Sequence, residues 1–172
     1  MSLVDIRRSA GSDALANQFQ IVFPPFPGLS IDLTNLNIRA KSVSIPETSH
    51  GTYERKWKGI TYTESNGEIG NPNEISITFE QDKNYQLYKS FISWKELQGD
   101  SETGISVKDE TVGFRQTFSV LAIDTTGRVL ATWIIKDAYP STVGGVDFSY
   151  DGGDPLDLEV TFQITKIIYP KV

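Results

Sequence analysis

The strictest constraint on this chain is a two-residue hydrophobic period. In the stretch LDLEVTFQIT, Leu156, Leu158, Val160, Phe162 and Ile164 alternate with Asp157, Glu159, Thr161, Gln163 and Thr165. Successive side chains of a β-strand point to opposite faces, so an extended backbone gives this segment one apolar and one hydrated face. Residues 156–165 at about 3.4 Å each predict a strand of roughly 34 Å. Such a length suggests strand pairing beyond the subunit. EISITFE repeats the pattern, with Ile75, Ile77 and Phe79 against Glu74, Ser76, Thr78 and Glu80. NQFQIVF does so through Phe19, Ile21 and Phe23. FRQTFSVLAID and RVLATWIIKD are apolar on both faces, which predicts central strands. Asp124, Thr125, Thr126 and Gly127 between them read as a hairpin turn. In NLNIRAKSVSIP the alternation loses a beat at Lys41 and Ser42, which predicts a bulged strand.

One segment departs from the pattern. Across residues 84–98, Gln86, Lys89, Ser93 and Glu96 recur at spacings of three and four, with Leu87, Tyr88, Phe91 and Trp94 on the other side. That spacing predicts an amphipathic helix of about four turns. Asp82 or Asn84 can cap its start and Gly99 suits its end. Residues 46–72 are long for a connection, rich in glycine and polar residues, yet they hold Tyr53, Trp57 and Tyr62. Within them TYERKWKGITYT predicts a two-stranded excursion. A second loop covers residues 99–113. The expected architecture is all-β with one helix packed on a sheet. It forms a single domain over residues 1–172 with an N-terminal arm over about residues 1–16.

Chemistry is scarce. The chain has no cysteine, so disulfides, thiolate nucleophiles and sulfur-ligated metals are excluded. Its one histidine, His50, lies between Ser49 and Gly51 with no nucleophile elbow nearby, and reads as a solvated loop residue. Asp147, Asp151, Asp154 and Asp157 cluster in sequence but lack the spacing of a calcium loop; Asp-Gly-Gly-Asp-Pro reads as a turn. No phosphate-binding glycine loop occurs. Trp57, Trp94 and Trp133 read as core or interface anchors. No catalytic residue, cofactor or metal is expected, and the chain is expected not to be an enzyme. A net charge of −6 argues against holding nucleic acid by phosphate neutralisation. No apolar run approaches the roughly 20 residues of a membrane span. The opening MSLVDIRRSAGSDALANQ has no apolar core behind Arg7 and Arg8, so cytoplasmic synthesis is the expectation.

Residues 129–165, VLATWIIKDAYPSTVGGVDFSYDGGDPLDLEVTFQIT, resemble the C-terminal signature of phage tail tube proteins. A strand ending in a Trp-containing apolar run leads to an aromatic–proline corner at Ala138, Tyr139, Pro140 and Ser141. A short strand, a polar turn and a long alternating strand follow. ISITFEQDKNY running into YKSFISWKEL, and NQFQIVFPPFPG followed by RAKSVSIPE, keep the family's order as well. The resemblance implies a two-sheet β-sandwich or barrel subunit with one flanking helix. Six copies would close into a ring barrel, and stacked rings would form the inner tube of a contractile tail that conducts DNA at ejection. The implied partners are further copies of the chain, the tail sheath protein, and the tape-measure, baseplate and tail terminator proteins. DNA would pass without specific binding, and the chain would not insert into a membrane. The implied location is the virion tail, assembled in the bacterial host cytoplasm.

The same resemblance places residues 46–72 where relatives contact the neighbouring ring. Tyr53, Lys56, Trp57 and Tyr62 are therefore candidates for an inter-ring interface. The polar faces of the alternating strands make Glu74, Glu80, Asp157 and Glu159 candidates to line the lumen, since a basic wall would retain DNA. An unpaired strand edge is an aggregation liability that ring closure removes, and residues 156–165 are the expected edge. Two alternatives stay open. One is the tube of a tailocin, a type VI Hcp-like tube or another contractile injection system; the other is a carbohydrate-binding β-sandwich module.

Overall fold

The computed structural model of the chain describes residues 18–25, 37, 39–70, 72–99, 113–146 and 155–170. The expected arm at 1–16, most of the 99–113 loop, and Asp147, Asp151 and Asp154 lie outside them. The described elements are β1 (Phe19–Val22), β2 (Ala40–Ser44), β3 (Ser49–Trp57), β4 (Ile60–Gly70), β5 (Glu74–Glu80), α1 (Gln86–Glu96), β6 (Gln116–Ile123), β7 (Val129–Val143), β8 (Asp157–Gln163) and β9 (Lys166–Ile168). Seven strands form one antiparallel sheet in the order β1-β6-β7-β8-β5-β2, with β9 beside β7. Among the described residues β3 and β4 pair only with each other. Mainly β with a single described helix is what the sequence predicts.

The sheet folds on itself through β7, a strand of 15 residues. Its first part pairs with β6, and Tyr139 to Val143 pair with β8. Ala138 lies opposite Gln116 and Ile135 opposite Phe118, so three steps on β7 match two on β6. The extra residue is accommodated where Asp137 adopts φ 53°, a left-handed conformation that Asp tolerates better than most side chains. A bulge of this kind bends a strand and increases its twist, turning the two halves of the sheet face to face. The bend thus falls within one continuous strand, two residues before the expected Tyr139–Pro140 corner.

Between the layers the alternating residues meet as predicted. Ile21, Phe118, Val120 and Ile135 come from one side, and Ile75, Ile77, Phe79, Leu158, Val160 and Phe162 from the other; all are buried. Phe118 contacts Phe23 beside it in its own layer and Phe162 across the gap, with ring centroids 4.6 and 5.5 Å apart. Helix α1 closes the end of this sandwich with Leu87, Phe91 and Trp94. Phe91 lies 5.1 Å from Phe79, and Trp94 Nε1 donates to the Phe114 carbonyl at 2.7 Å. At its other end, Gln98 Nε2 donates to the Pro140 carbonyl at 2.9 Å, tying the helix to β7 just past its bend.

The residue at the helix N-cap is Tyr85, neither Asp82 nor Asn84, and it takes φ 55° without a side-chain cap bond. Asp82, three residues earlier, supplies acceptors to the helix start instead. Its Oδ1 accepts from the Leu87 amide at 3.0 Å and its Oδ2 from the Asn84 amide at 3.1 Å. Burial pushes the carboxyl up, but the backbone amides of Leu87, Gln86 and Asn84 together hold it below its ordinary value. The β6–β7 turn is the predicted one. Asp124 Oδ1 accepts from Thr126 N, Thr126 Oγ1 and Arg128 N at 2.8, 2.7 and 2.9 Å, and Gly127 takes φ 82°. The bulge in β2 also falls where the alternation slips, between Ala40 and Ser42.

One expectation is corrected. β8 spans Asp157–Gln163, seven residues, and pairs along its whole length with β5 and through Val160–Gln163 with β7, so it is an interior strand of the sheet and not the expected edge. Side-chain alternation runs one residue past β8 because Ile164 is still buried just before the backbone changes partners. Ile164 N donates to Asn73 O, while Thr165 N already donates to Lys136 O on the way into β9. Hydrophobic period reports burial, not pairing. The outer strands of the seven-stranded order are β1 and β2.

Candidate assembly surfaces

β3 and β4 form a hairpin because Lys58 and Gly59 both take positive φ, 49° and 83°, the backbone signature of a tight turn between twisted strands. The turn sets Trp57 opposite Ile60 and fixes the register outward from it. Directly opposed residues share a face. One face therefore carries Tyr53 with Glu64, Arg55 with Tyr62, and Trp57 with Ile60; the other carries Glu54 with Thr63 and Lys56 with Thr61. The first face is apolar toward its tip and exposed, Trp57 by 63% and Ile60 by 69%. Nearer the base, Tyr53 donates its hydroxyl proton to Glu64 Oε2 at 2.6 Å. That bond and the Glu64 charge raise the tyrosine's pKa. Arg55 lies 3.6 Å from the same carboxylate. At the root, Tyr169 donates to the Pro46 carbonyl at 3.0 Å, anchoring the arm beside β9.

The structure brings Tyr53, Trp57 and Tyr62 onto one face and puts Lys56 on the opposite one. Ile60 belongs to the aromatic face and was missed from sequence; the Lys-Gly turn that pairs it with Trp57 was the available signal. His50 is exposed in β3 opposite Ile69, in a strand where a loop was expected.

The four acidic candidates also share a face. Across β5 and β8, Glu74 opposes Gln163, Ser76 opposes Thr161, Thr78 opposes Glu159 and Glu80 opposes Asp157. This is the side away from the Ile75–Ile77–Phe79 core face. Gln163 Nε2 donates to Glu74 Oε1 at 2.6 Å, and the Ser76 and Thr161 hydroxyls lie 3.2 Å apart. Like charges directly opposite repel, as at Glu80 and Asp157, and Lys41 relieves this with an ion pair to Asp157 at 2.6 Å. The pair is solvent-exposed, so it contributes at most about 1 kcal/mol. The result is a wall of carboxylates, hydroxyls and amides, with the Lys41 ammonium among them. No helix among the described residues is long and apolar enough to cross a membrane.

A β-sandwich with a hydrated acidic wall and a projecting amphipathic arm defines a structural subunit built to meet other proteins. The model of the phage tail tube protein family matches residues 14–168, and the chain belongs to that family. Its fold is also that of a chain in the sheath–tube complex of the PVC extracellular contractile injection system, extended state. The TM-score there is 0.64 at 17% identity, covering 100% of this chain and 99% of that one. A chain in the tube-terminating cap of the anti-feeding prophage aligns with a TM-score of 0.67 at 12% identity, covering 94% and 93%. One in the sixfold-symmetrised baseplate of the same particle gives 0.55 at 10% identity, covering 92% and 96%. Among curated proteins none matches the chain by sequence.

Proposed function

We infer that this chain is the inner tube subunit of a phage's contractile tail, closing into hexameric rings that stack into a conduit for DNA. The family match over residues 14–168 carries the reading. The geometry supplies a rationale for each part of it. The hairpin's exposed Tyr53, Trp57, Ile60 and Tyr62 suit contact between rings, since aromatic anchors dominate protein interfaces. Lys56, on the other face, would meet a different surface. Ring closure by strand pairing would run through the outer edges of β1 and β2. Glu74, Glu80, Asp157 and Glu159 would line the bore, where carboxylates repel the phosphates that a basic wall would hold.

The proposed partners are a sheath around the tube, a terminator and a baseplate at its ends, and a tape-measure protein during assembly. Fold relatives from a sheath–tube complex, a tube cap and a baseplate favour the first three. The role is structural, not catalytic. The proposed place of action is the virion tail, assembled in the host cytoplasm. A second reading is the tube of a tailocin or other headless injection particle, favoured by fold relatives from the PVC and anti-feeding prophage systems.

Light scattering of the purified chain over a concentration series tests the tube reading. Discrete rings and polymers are expected; a monomer at every concentration, with sheath protein added as well, would refute it. Particles isolated from producing cells separate the two readings, because DNA-filled heads accompany only the first.

A further inference from the structure

β4 carries the only asparagine of the chain that is followed by glycine, Asn66 before Gly67. The β3–β4 ladder skips both. His50 opposes Ile69 and Thr52 opposes Ser65, so residues 66–68 bulge against the single residue Gly51. The bulge is held by its own side chains. Asn66 Oδ1 accepts from the Glu68 amide at 3.0 Å, and Asn66 Nδ2 donates to Glu68 Oε2 at 2.8 Å. The Gly67 amide donates to Ser65 Oγ at 3.3 Å, and Gly67 takes φ 77°. The carboxamide of Asn66 lies over Gly51, where a Cβ would overlap its oxygen. Asn66, Gly67 and Glu68 are exposed, beside a cleft of about 420 Å³ lined by Ser49, His50, Gly51, Glu68 and Gly70, so water has access.

We propose that Asn66 is a self-modifying site, at which the bulge promotes conversion of the asparagine to aspartate and isoaspartate. The reaction needs only this chain and water, and it does not rest on the tube reading. The Gly67 nitrogen loses its proton to solvent, on the side where Ser65 Oγ already accepts from it. Its freed electron pair attacks Cγ of Asn66. The bond from Cγ to Nδ2 then breaks, that nitrogen takes up a proton and leaves as ammonia, and a five-membered succinimide remains. Water opens the ring by breaking one of its two bonds to the Gly67 nitrogen. Attack at Cγ gives aspartate, and attack at the main-chain carbonyl carbon gives isoaspartate. One water is consumed and one ammonia released. Negative charge develops on Oδ1 as Cγ becomes tetrahedral, and the Glu68 amide already points a donor at it. The Glu68 carboxylate lies against Nδ2, where positive charge gathers as that nitrogen departs. Gly67 has no side chain to crowd the attack. The bulge therefore holds the carboxamide ready on both sides of the reacting carbon. The product sets a carboxylate against Glu68 where a donor stood, and isoaspartate adds a methylene to the β4 main chain. Both changes alter the arm and leave the sandwich untouched.

Peptide mass spectrometry tests this on the full chain. Dilute native protein and guanidinium-unfolded protein are held at the same mildly alkaline pH and temperature. The peptide containing residue 66 is followed for the change of amide to acid, and isoaspartate is counted with its methyltransferase. The unfolded chain supplies the intrinsic rate of an Asn-Gly pair. The folded chain should react at least about tenfold faster, modest beside the roughly 10²–10³ that an oxyanion donor contributes in an enclosed site. Gly51→Ala keeps the Asn-Gly pair but displaces the carboxamide, and should return the folded rate to the unfolded one. A folded wild-type rate equal to or below the unfolded rate overturns the proposal, whatever the variant does. So does a Gly51→Ala chain that reacts as fast as wild type, since the pinned carboxamide would then contribute nothing. Neither result depends on whether the chain forms tubes, so failure here leaves the tube reading standing.

Discussion

Trp57 and Ile60 face each other across the tip of the hairpin, and both stand largely in solvent although they are the arm's most apolar pair. The arm shares no ladder with the seven-stranded sheet among the described residues, and none of its described side chains belongs to the buried cluster. It therefore adds little to the stability of the subunit.

Deleting residues 52–65 should leave a subunit whose urea-unfolding free energy differs from wild type by no more than about 1 kcal/mol. The same variant should form rings without tubes in electron micrographs. Long tubes from it would remove the arm from the stacking contact.

Gly59 sits at φ 83° with nothing within reach of an added side chain, so the penalty of substitution there is conformational and not steric. Gly59→Val should disfavour the turn by about 1–2 kcal/mol. Tube assembly should weaken while the melting temperature of the subunit hardly moves.

Asp82 offers a pH test of the helix start. Its native carboxyl is held below its ordinary value, so its contribution is complete above about pH 4–5 and fades as pH falls through the native value. Asp82→Ala should cost about 1–2 kcal/mol at neutral pH. The gap between variant and wild type should narrow below about pH 4, in urea titrations of the arm-deleted subunit. A gap that stays constant down to acid would show that the carboxylate's charge is not what matters.

The left-handed residue at the bend of β7 makes a further prediction. Asp137→Val places a β-branched side chain at φ 53° and should destabilise by about 1–3 kcal/mol, whereas Asp137→Gly should be close to neutral. Thermal unfolding distinguishes them. Equal losses for both would mean that the carboxylate, not the backbone, fixes the bend.

These sites mark how far the sequence was legible. β1, β5 and β8 follow from alternation because each is buried on one face only, and α1 follows from its spacing of three and four. The bend of β7 was not legible, because the strand is apolar on both faces and a lone Asp carries no distinctive signal for a change of sheet. The ends of β8 were misjudged, because Ile164 stays buried where the chain passes from Asn73, beside β5, to Lys136 of β7. Within the arm, Lys56 precedes Trp57 by one position, so strand parity alone separates them. Joining Ile60 and Tyr62 to Trp57 required the turn residues as well.

The acidic wall carries the functional claim about cargo. Lysine at Glu74, Glu80 and Glu159 should leave assembly intact, since a hydrated face tolerates charge. DNA passage should slow, with relief as salt rises and screens the attraction. Asp157 is better left in place, because its replacement would set a cation against Lys41.

Cryo-electron microscopy of tubes grown from the purified chain tests the whole account most directly. The reconstruction should show sixfold rings, with each arm reaching the next ring and Glu74, Glu80, Asp157 and Glu159 facing the bore. A bore ringed by lysine and arginine, or arms that lie within their own ring, would contradict it.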